Sequence, residues 1–212
     1  PPPLPSASPP PRAAPPPAKT AVSAASLSEL EAEVRAFSGC GLKATATQTV
    51  FADGVAGAPL MVIGEAPGAE EDRQGRPFVG RSGQLLDRML AAIGRNRRQN
   101  AYITNVIFWR PPGNRKPTGE EVASCLPFVH RHIQLLAPKA ILLCGNVAIG
   151  ALTSRKEGVI RLRGNWFDLE IIGHPHKVPA LATYHPSFLL RTPSRKGEAW
   201  RDLLDLERRL QE

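Results

Sequence analysis

Two hydrophobic rhythms run along the chain from residue 26 onward: short runs in which every position is apolar, and longer stretches in which apolar positions return every three or four residues. The first is the pattern of strands buried on both faces, the second that of helices with one face on a core. Ser26-Leu27-Ser28-Glu29 reads as a capping box, and Leu27, Leu30, Val34 and Phe37 predict a short helix that Gly39-Cys40-Gly41 ends. Leu60 to Ile63 predicts a buried strand, and Leu86, Leu90 and Ile93 place a helix over Gly83 to Ile93. Tyr102 to Phe108 predicts a second strand. A second capping box, Thr118-Gly119-Glu120-Glu121, opens a helix that carries Val122, Leu126, Val129, Ile133 and Leu136 on one face. Ala140 to Cys144 predicts a third strand, and Gly145 turns it into a helix around Val147 to Leu152. Trp166 to Ile172 alternates weakly, as a hairpin arm does, and Ala180 to Tyr184 is a short fourth core strand. Trp200, Leu203, Leu204 and Leu210 mark a closing amphipathic helix.

Strand and helix in repetition specify an α/β fold: a central, mostly parallel sheet with helices on both faces, one α/β/α sandwich over residues 26–212. Sites in such folds gather on the loops just beyond the carboxyl ends of the strands. No internal repeat interrupts the pattern.

Composition changes this picture at one end. Residues 1–25 are Pro, Ala and Ser with only Arg12 and Lys19 charged, and ten of the 22 prolines fall within Pro1 to Pro17. Such a segment favours extended, solvated chain and buries no core, so it predicts a tail or linker. The chain starts at Pro1 and not at Met, which leaves room for a segment upstream. Lys+Arg 27 against Asp+Glu 19 gives a net charge of +8, which favours a polyanionic partner over a cationic one. No stretch approaches the roughly 18 apolar residues of a membrane span, and no secretory signal pattern opens the chain. The three cysteines, Cys40, Cys125 and Cys144, are too few and scattered for a secreted disulfide framework. A cytoplasmic protein without membrane contact is expected.

Candidate chemistry lies on three strand-end loops. The first strand runs into Gly64-Glu65-Ala66-Pro67-Gly68-Ala69-Glu70-Glu71-Asp72, then Gly75-Arg76-Pro77-Phe78-Val79-Gly80. Glycines and a proline around a carboxylate make a stiff turn with free backbone N–H groups. No Gly-Lys-Ser/Thr closes it, so it is not a Walker phosphate loop. It reads equally as a Gly-rich turn capped by acids. The second strand ends at Asn105 inside an apolar run; a buried amide must be paired, either to tie off a loop or to read the edge of a nucleobase. The fourth strand ends in Tyr184-His185-Pro186-Ser187, where the imidazole is either a turn residue or a functional group.

Together these segments resemble the uracil-DNA glycosylase superfamily, specifically its iron-sulfur branch, family 4. Gly64-Glu65-Ala66-Pro67-Gly68 with Glu71-Asp72 and the run from Gly75 to Gly80 match its first motif, and His185-Pro186-Ser187 its second. Thr104-Asn105 and the segment from Arg110 to Pro117 match as well, so the resemblance covers the chain from about Phe37 to the C-terminus. It implies a monomeric, monofunctional glycosylase that flips uracil out of DNA and hydrolyses its N-glycosidic bond, releasing free uracil. Glu65 and His185 are then the catalytic residues: a carboxylate beside the cationic sugar and a hydrogen-bond donor to uracil O2. Phe78 stacks on the base, Asn105 reads its edge, and Ala66, Gly68 and Glu71 complete the base site. No Lys lies between Val62 and Asp87 or within His185-Pro186-Ser187, which argues against a Schiff-base lyase step.

The resemblance also implies a [4Fe-4S] cluster on four cysteines, but those positions read Phe37, Cys40, Trp109 and Cys125. Two thiolates are too few for cluster ligation, so a relative without the cluster, and with no other cofactor or metal, is expected. Zinc on His174, His176 and His185 is a competing possibility, without the spacing of a zinc motif. Arg110, Arg115, Lys116, Ser187, Phe188, Leu190 and Arg191 are the DNA-binding candidates. Arg95, Arg97 and Arg98 extend the basic run as phosphate contacts or as a solvated face. Phe188, Leu189 and Leu190 suit a wedge into the base stack or ordinary packing. Two other readings stand: a DNA-binding relative without turnover, and a glycosylase for another damaged base.

Overall fold

A computed structural model describes residues 22–212. Residues 1–21, most of the segment expected as a tail, lie outside the described residues. The rest of that segment is packed chain: Ala24 is buried, its carbonyl accepts from Arg131 Nε at 2.7 Å, and the Ala25 N–H donates to the Glu29 carboxylate.

In chain order the elements are α1 (Leu27–Ala36), β1 (Ala52–Gly54), β2 (Leu60–Gly64), α2 (Ala69–Gln74), α3 (Arg81–Ala91) and β3 (Ala101–Asn105). Then come α4 (Gly119–Leu136), β4 (Ala140–Cys144), α5 (Asn146–Thr153), α6 (Val159–Leu162), β5 (Trp166–Leu169), β6 (Val178–Thr183), α7 (Pro186–Arg191) and α8 (Lys196–Gln211). Of the two expected cap boxes the one at Thr118 closes, while at Ser26 only half forms, because the Glu29 carboxylate accepts from Ala25 and not from Ser26. Ser26 Oγ accepts from the Glu29 N–H at 3.2 Å, and Thr118 and Glu121 bond each other's backbone N–H at 3.2 and 2.7 Å. Such a cap contributes about 1 kcal/mol to its helix.

The strands form one sheet in the order β1-β3-β2-β4-β6-β5, with β3, β2, β4 and β6 parallel and the edges β1 and β5 antiparallel. Alternate residues divide between two cores. Met61, Ile63, Ile141 and Leu143 pack with α1, α4 and α5, while Leu60, Val62, Ile103, Leu142 and Leu181 pack with Leu86 and Leu90 of α3 and Leu203 and Leu206 of α8. Each such side chain contributes roughly 1.5–3 kcal/mol by leaving water, so both helix layers are needed to cover the sheet. This is the mostly parallel α/β/α sandwich that the hydrophobic pattern implies. The register sets Gly64 opposite Asn105 and Cys144 opposite Thr183, so the parallel strands end at one rim.

Several elements differ from expectation, among them the short helices α2, α6 and α7, which no periodicity announced. The apolar run from Tyr102 to Phe108 leaves the strand at Asn105; Val106 and Ile107 stay buried by donating their N–H groups to the Gly64 and Glu65 carbonyls at 3.0 and 3.1 Å. β1, an Ala-Asp-Gly segment with no strand signal of its own, becomes a strand because it pairs with β3. No helix among the described residues is long and apolar enough to cross a membrane.

Candidate active site

The loops at the strand rim enclose a cleft of about 660 Å³. β2 delivers Glu65 to it. The residue before must be glycine, because a Cβ on Gly64 would lie 2.4 Å from the Phe78 ring and 2.5 Å from Asn105 Oδ1. Glu65 is half-buried, and burial raises its pKa above the ordinary 4.5 against the opposing pull of the Lys116 ammonium.

Glu71 joins two turns. One carboxylate oxygen accepts from the Gly68 N–H at 3.1 Å, and the other from the N–H groups of Val79 and Gly80 at 2.9 Å each. The expected free N–H of this turn is therefore taken at Gly68, and Glu71 faces backbone donors as a strut. Beyond the strut, Phe78 is buried at a φ of 53°, its ring 5.5 Å from the His185 ring at 29°.

Asn105 is 2% exposed at the end of β3 and lines the cleft. Its side-chain amide makes no hydrogen bond among the described residues and is not one of their fully buried unpartnered atoms, so it opens to the cleft and ties off no loop. An amide that opens to a cleft is free to pair with water or with a ligand there.

His185 caps α7. Its Nδ1 accepts from the Ser187 N–H at 3.2 Å, with Ser187 Oγ at 2.8 Å. An accepting Nδ1 carries no proton, so the neutral ring bears its proton on Nε2. Burial and then the Arg191 charge bring its pKa down to about 4, against the Glu71 carboxylate. The ring is neutral at pH 7, and a Cβ on Gly145 would come within 2.9 Å of the His185 Cβ.

The DNA-contact candidates separate. Arg115, Lys116, Ser187, Phe188 and Arg191 line the cleft, while Arg110 and Leu190 do not. Arg115 donates twice to Glu121, at 2.9 and 2.6 Å, and Arg110 Nε donates to Asn114 at 2.8 Å. Phe188 rests on Tyr184 with centroids 4.9 Å apart; Leu189 is buried core, and Leu190 packs half-buried against that core. The basic run is neutralised only in part, since Arg98 is exposed and has no ion pair among the described residues. Arg95 forms a two-pronged pair with Glu207 at 2.7 and 2.9 Å, and Arg97 pairs with Asp53 and Asp87. Cations without an ion pair among the described residues stand at the cleft as Lys116, Arg191 and Arg81. Arg81 and Asn146 escaped the sequence reading. Each follows a glycine where loop becomes helix, at Gly80-Arg81 and Gly145-Asn146, and that shared position is the signal that finds them.

At the four positions where the resemblance implies cluster ligands, the residues do not fit an iron-sulfur core. The Phe37 and Trp109 rings stack at 6.3 Å, Phe37 meets Phe128 edge-on at 4.9 Å, and the buried Trp109 indole donates to Thr49 Oγ1 at 3.0 Å. Aromatic carbon fills the space, and the donors reduce to the buried thiols Cys40 and Cys125, hydrogen-bonded so that Cys40 is lowered and Cys125 raised. Cys144 is core, its thiol pushed up to about 12 by burial. Zinc has no donor set: His174 bonds the His176 backbone while His185 faces the cleft, and no three His, Cys, Asp or Glu gather among the described residues.

Carboxylate, unpaired amide, neutral imidazole and aromatic ring gather around one cleft of an α/β/α fold, with cations beside it, a lining that suits a planar base on a polyanionic strand. Residues 51–204 match the model of the uracil DNA glycosylase superfamily. The chain is 43% identical over 148 residues to the type-4 uracil-DNA glycosylase of Pyrobaculum aerophilum, covering 68% of this chain and 74% of that protein. To the type-4 enzymes of Thermotoga maritima and Archaeoglobus fulgidus it is 39% identical over 162 residues and 37% over 177, covering 76% and 82% of this chain and 81% and 87% of theirs. The chain belongs to the uracil-DNA glycosylase superfamily.

Proposed function

We propose that the protein is a monofunctional uracil-DNA glycosylase, acting as a monomer and without an iron-sulfur cluster, that hydrolyses the bond between uracil N1 and deoxyribose C1′. The observation that carries this reading is the Asn105 amide, open to the cleft and without a protein partner. Its carbonyl matches uracil N3–H and its amine matches O4, the reverse of the pattern that cytosine offers.

Extruded from the stack, the base enters between Phe78 and the strand rim. As the N1–C1′ bond breaks, its electron pair leaves with uracil and the sugar becomes cationic. His185 Nε2–H donates to O2 as negative charge grows there, an interaction strongest in the transition state. The Glu65 carboxylate stabilises the sugar cation and orients the water whose oxygen attacks C1′; the water's proton goes to the carboxylate and on to solvent or to the uracil anion. Lys116, Arg191 and Arg81 hold the flanking phosphates. Lys116 lines the same cleft as Glu65, where it serves as a charge and forms no Schiff base.

The test is incubation with an oligonucleotide carrying one uracil, followed by alkali. Free uracil with scission only after alkali is expected. Uptake of uracil DNA without release would indicate a binding module, and scission without alkali would indicate a lyase.

A further inference from the structure

The basic run suggested Arg97 as a phosphate contact, yet its guanidinium is buried behind the base pocket with 14% of the side chain exposed. Every donor is engaged. Nε donates to Asp87 at 2.9 Å; Nη1 donates to Asp53 at 2.9 Å and to the Pro77 carbonyl at 3.0 Å; Nη2 donates to the Phe78 carbonyl at 2.8 Å and meets Asp87 at 2.8 Å. The two carboxylates come from different elements, β1 and α3, so the fork is held from both sides.

The backbone it grips is unusual. Phe78 adopts a φ of 53°, the left-handed region that bulky side chains rarely occupy, and such a conformation persists only where the surroundings enforce it. α3 presses on the same peptide: a Cβ on Gly83 would lie 1.9 Å from the Phe78 carbonyl oxygen. With α3 on one side and the guanidinium on the other, the peptide is clamped and the ring is aimed over Gly64 toward His185.

We infer that Arg97 is a positioning residue for base capture, which sets the Phe78 ring by holding the Pro77 and Phe78 carbonyls. A lysine cannot replace it, because one ammonium does not span two carbonyls and two carboxylates. The inference rests on the glycosylase reading only for its kinetic consequence; the ring placement is independent of substrate.

Two readouts test it on the full chain. In the first, NMR records the ring-current shift of the His185 ring protons in wild type, Arg97→Gln, Arg97→Lys and Phe78→Ala. Both Arg97 variants should move those shifts toward their values in Phe78→Ala; unchanged shifts in a folded Arg97→Gln overturn the proposal. In the second, single-turnover uracil excision is measured for Arg97→Gln in the wild-type and Phe78→Ala backgrounds. At least a tenfold loss is expected in the first background and less than twofold in the second, because the effect travels through the ring. Equal losses in both, as general destabilisation would cause, overturn it. So does a fall of about one in the slope of log K against log salt, the mark of a phosphate contact. If wild type releases no uracil, the glycosylase reading fails while the ring-current comparison still decides this one.

Discussion

Between pH 4 and 6.5 the protein should behave unlike one built on an ordinary histidine. Burial and the Arg191 charge lower the His185 pKa from 6.5 to about 4. At about 1.36 kcal/mol per unit, that difference links to about 3 kcal/mol of stability. The unfolded chain takes up a proton at this residue below pH 6.5, whereas the native chain resists until about pH 4. The contribution is therefore complete above pH 6.5 and is lost as the pH falls to 4. His132, fully buried and held down to about 3, acts in the same direction. Catalysis by the folded fraction follows a different curve. His185 keeps its Nε2–H, and Glu65, whose pKa burial raises, acts as the carboxylate, so release should fall on the acid side as Glu65 takes up a proton. The assay is single-turnover uracil release from pH 4 to 8, corrected for folded fraction by circular dichroism, with ¹⁵N NMR of the histidine tautomer. An inflection near 6.5 that disappears in His185→Ala, or a proton on Nδ1 of the neutral ring, would refute the reasoning.

Glu65→Gln keeps the shape and removes the charge beside the sugar, so single-turnover release should slow by about a hundredfold with an unchanged melting temperature; a wild-type rate removes Glu65 from the mechanism. Lys116→Ala and Arg191→Ala should each reduce the slope of log K against log salt by about one, whereas Arg95→Ala, whose guanidinium is held by Glu207, should leave the slope unchanged. Purified protein should carry no stoichiometric iron and no iron-sulfur absorption, since Phe37 and Trp109 stand at two ligand positions; iron at cluster stoichiometry contradicts this.

What the sequence made legible follows from what is local. The N-caps at Ser26 and Thr118 and the all-apolar strands are set by neighbours in the chain, and they predicted the sandwich and its rim. Glu65, Phe78, Asn105 and His185 were readable because each sits at a strand end or in a motif beside one. Pairings between distant residues were not readable. Arg95 and Glu207 lie 112 positions apart and Arg97 and Asp53 lie 44 apart, so two cations of the run looked free that the fold neutralises. Likewise nothing local showed that Glu71 would meet the N–H groups of Val79 and Gly80, or that Ser187 would assign the His185 tautomer. β1 exists only through its partner strand, and Ala24 is buried because Arg131 and the core reach it.

The central claim is that the unpaired Asn105 amide reads uracil. A mismatched edge in the closed pocket leaves buried groups unpaired, at roughly 1–3 kcal/mol for each, which is a factor of about ten to a hundred in rate per group. The measurement is single-turnover excision by wild type, Asn105→Asp and Asn105→Ala from matched oligonucleotides with uracil or cytosine at one position. Wild type should release uracil and spare cytosine, and both variants should lose uracil release sharply, with Asn105→Asp gaining weak release of cytosine when its carboxylate accepts from the cytosine amine. Uracil release at the wild-type rate by both variants would contradict the claim and move discrimination to the backbone near Ala66 and Gly68.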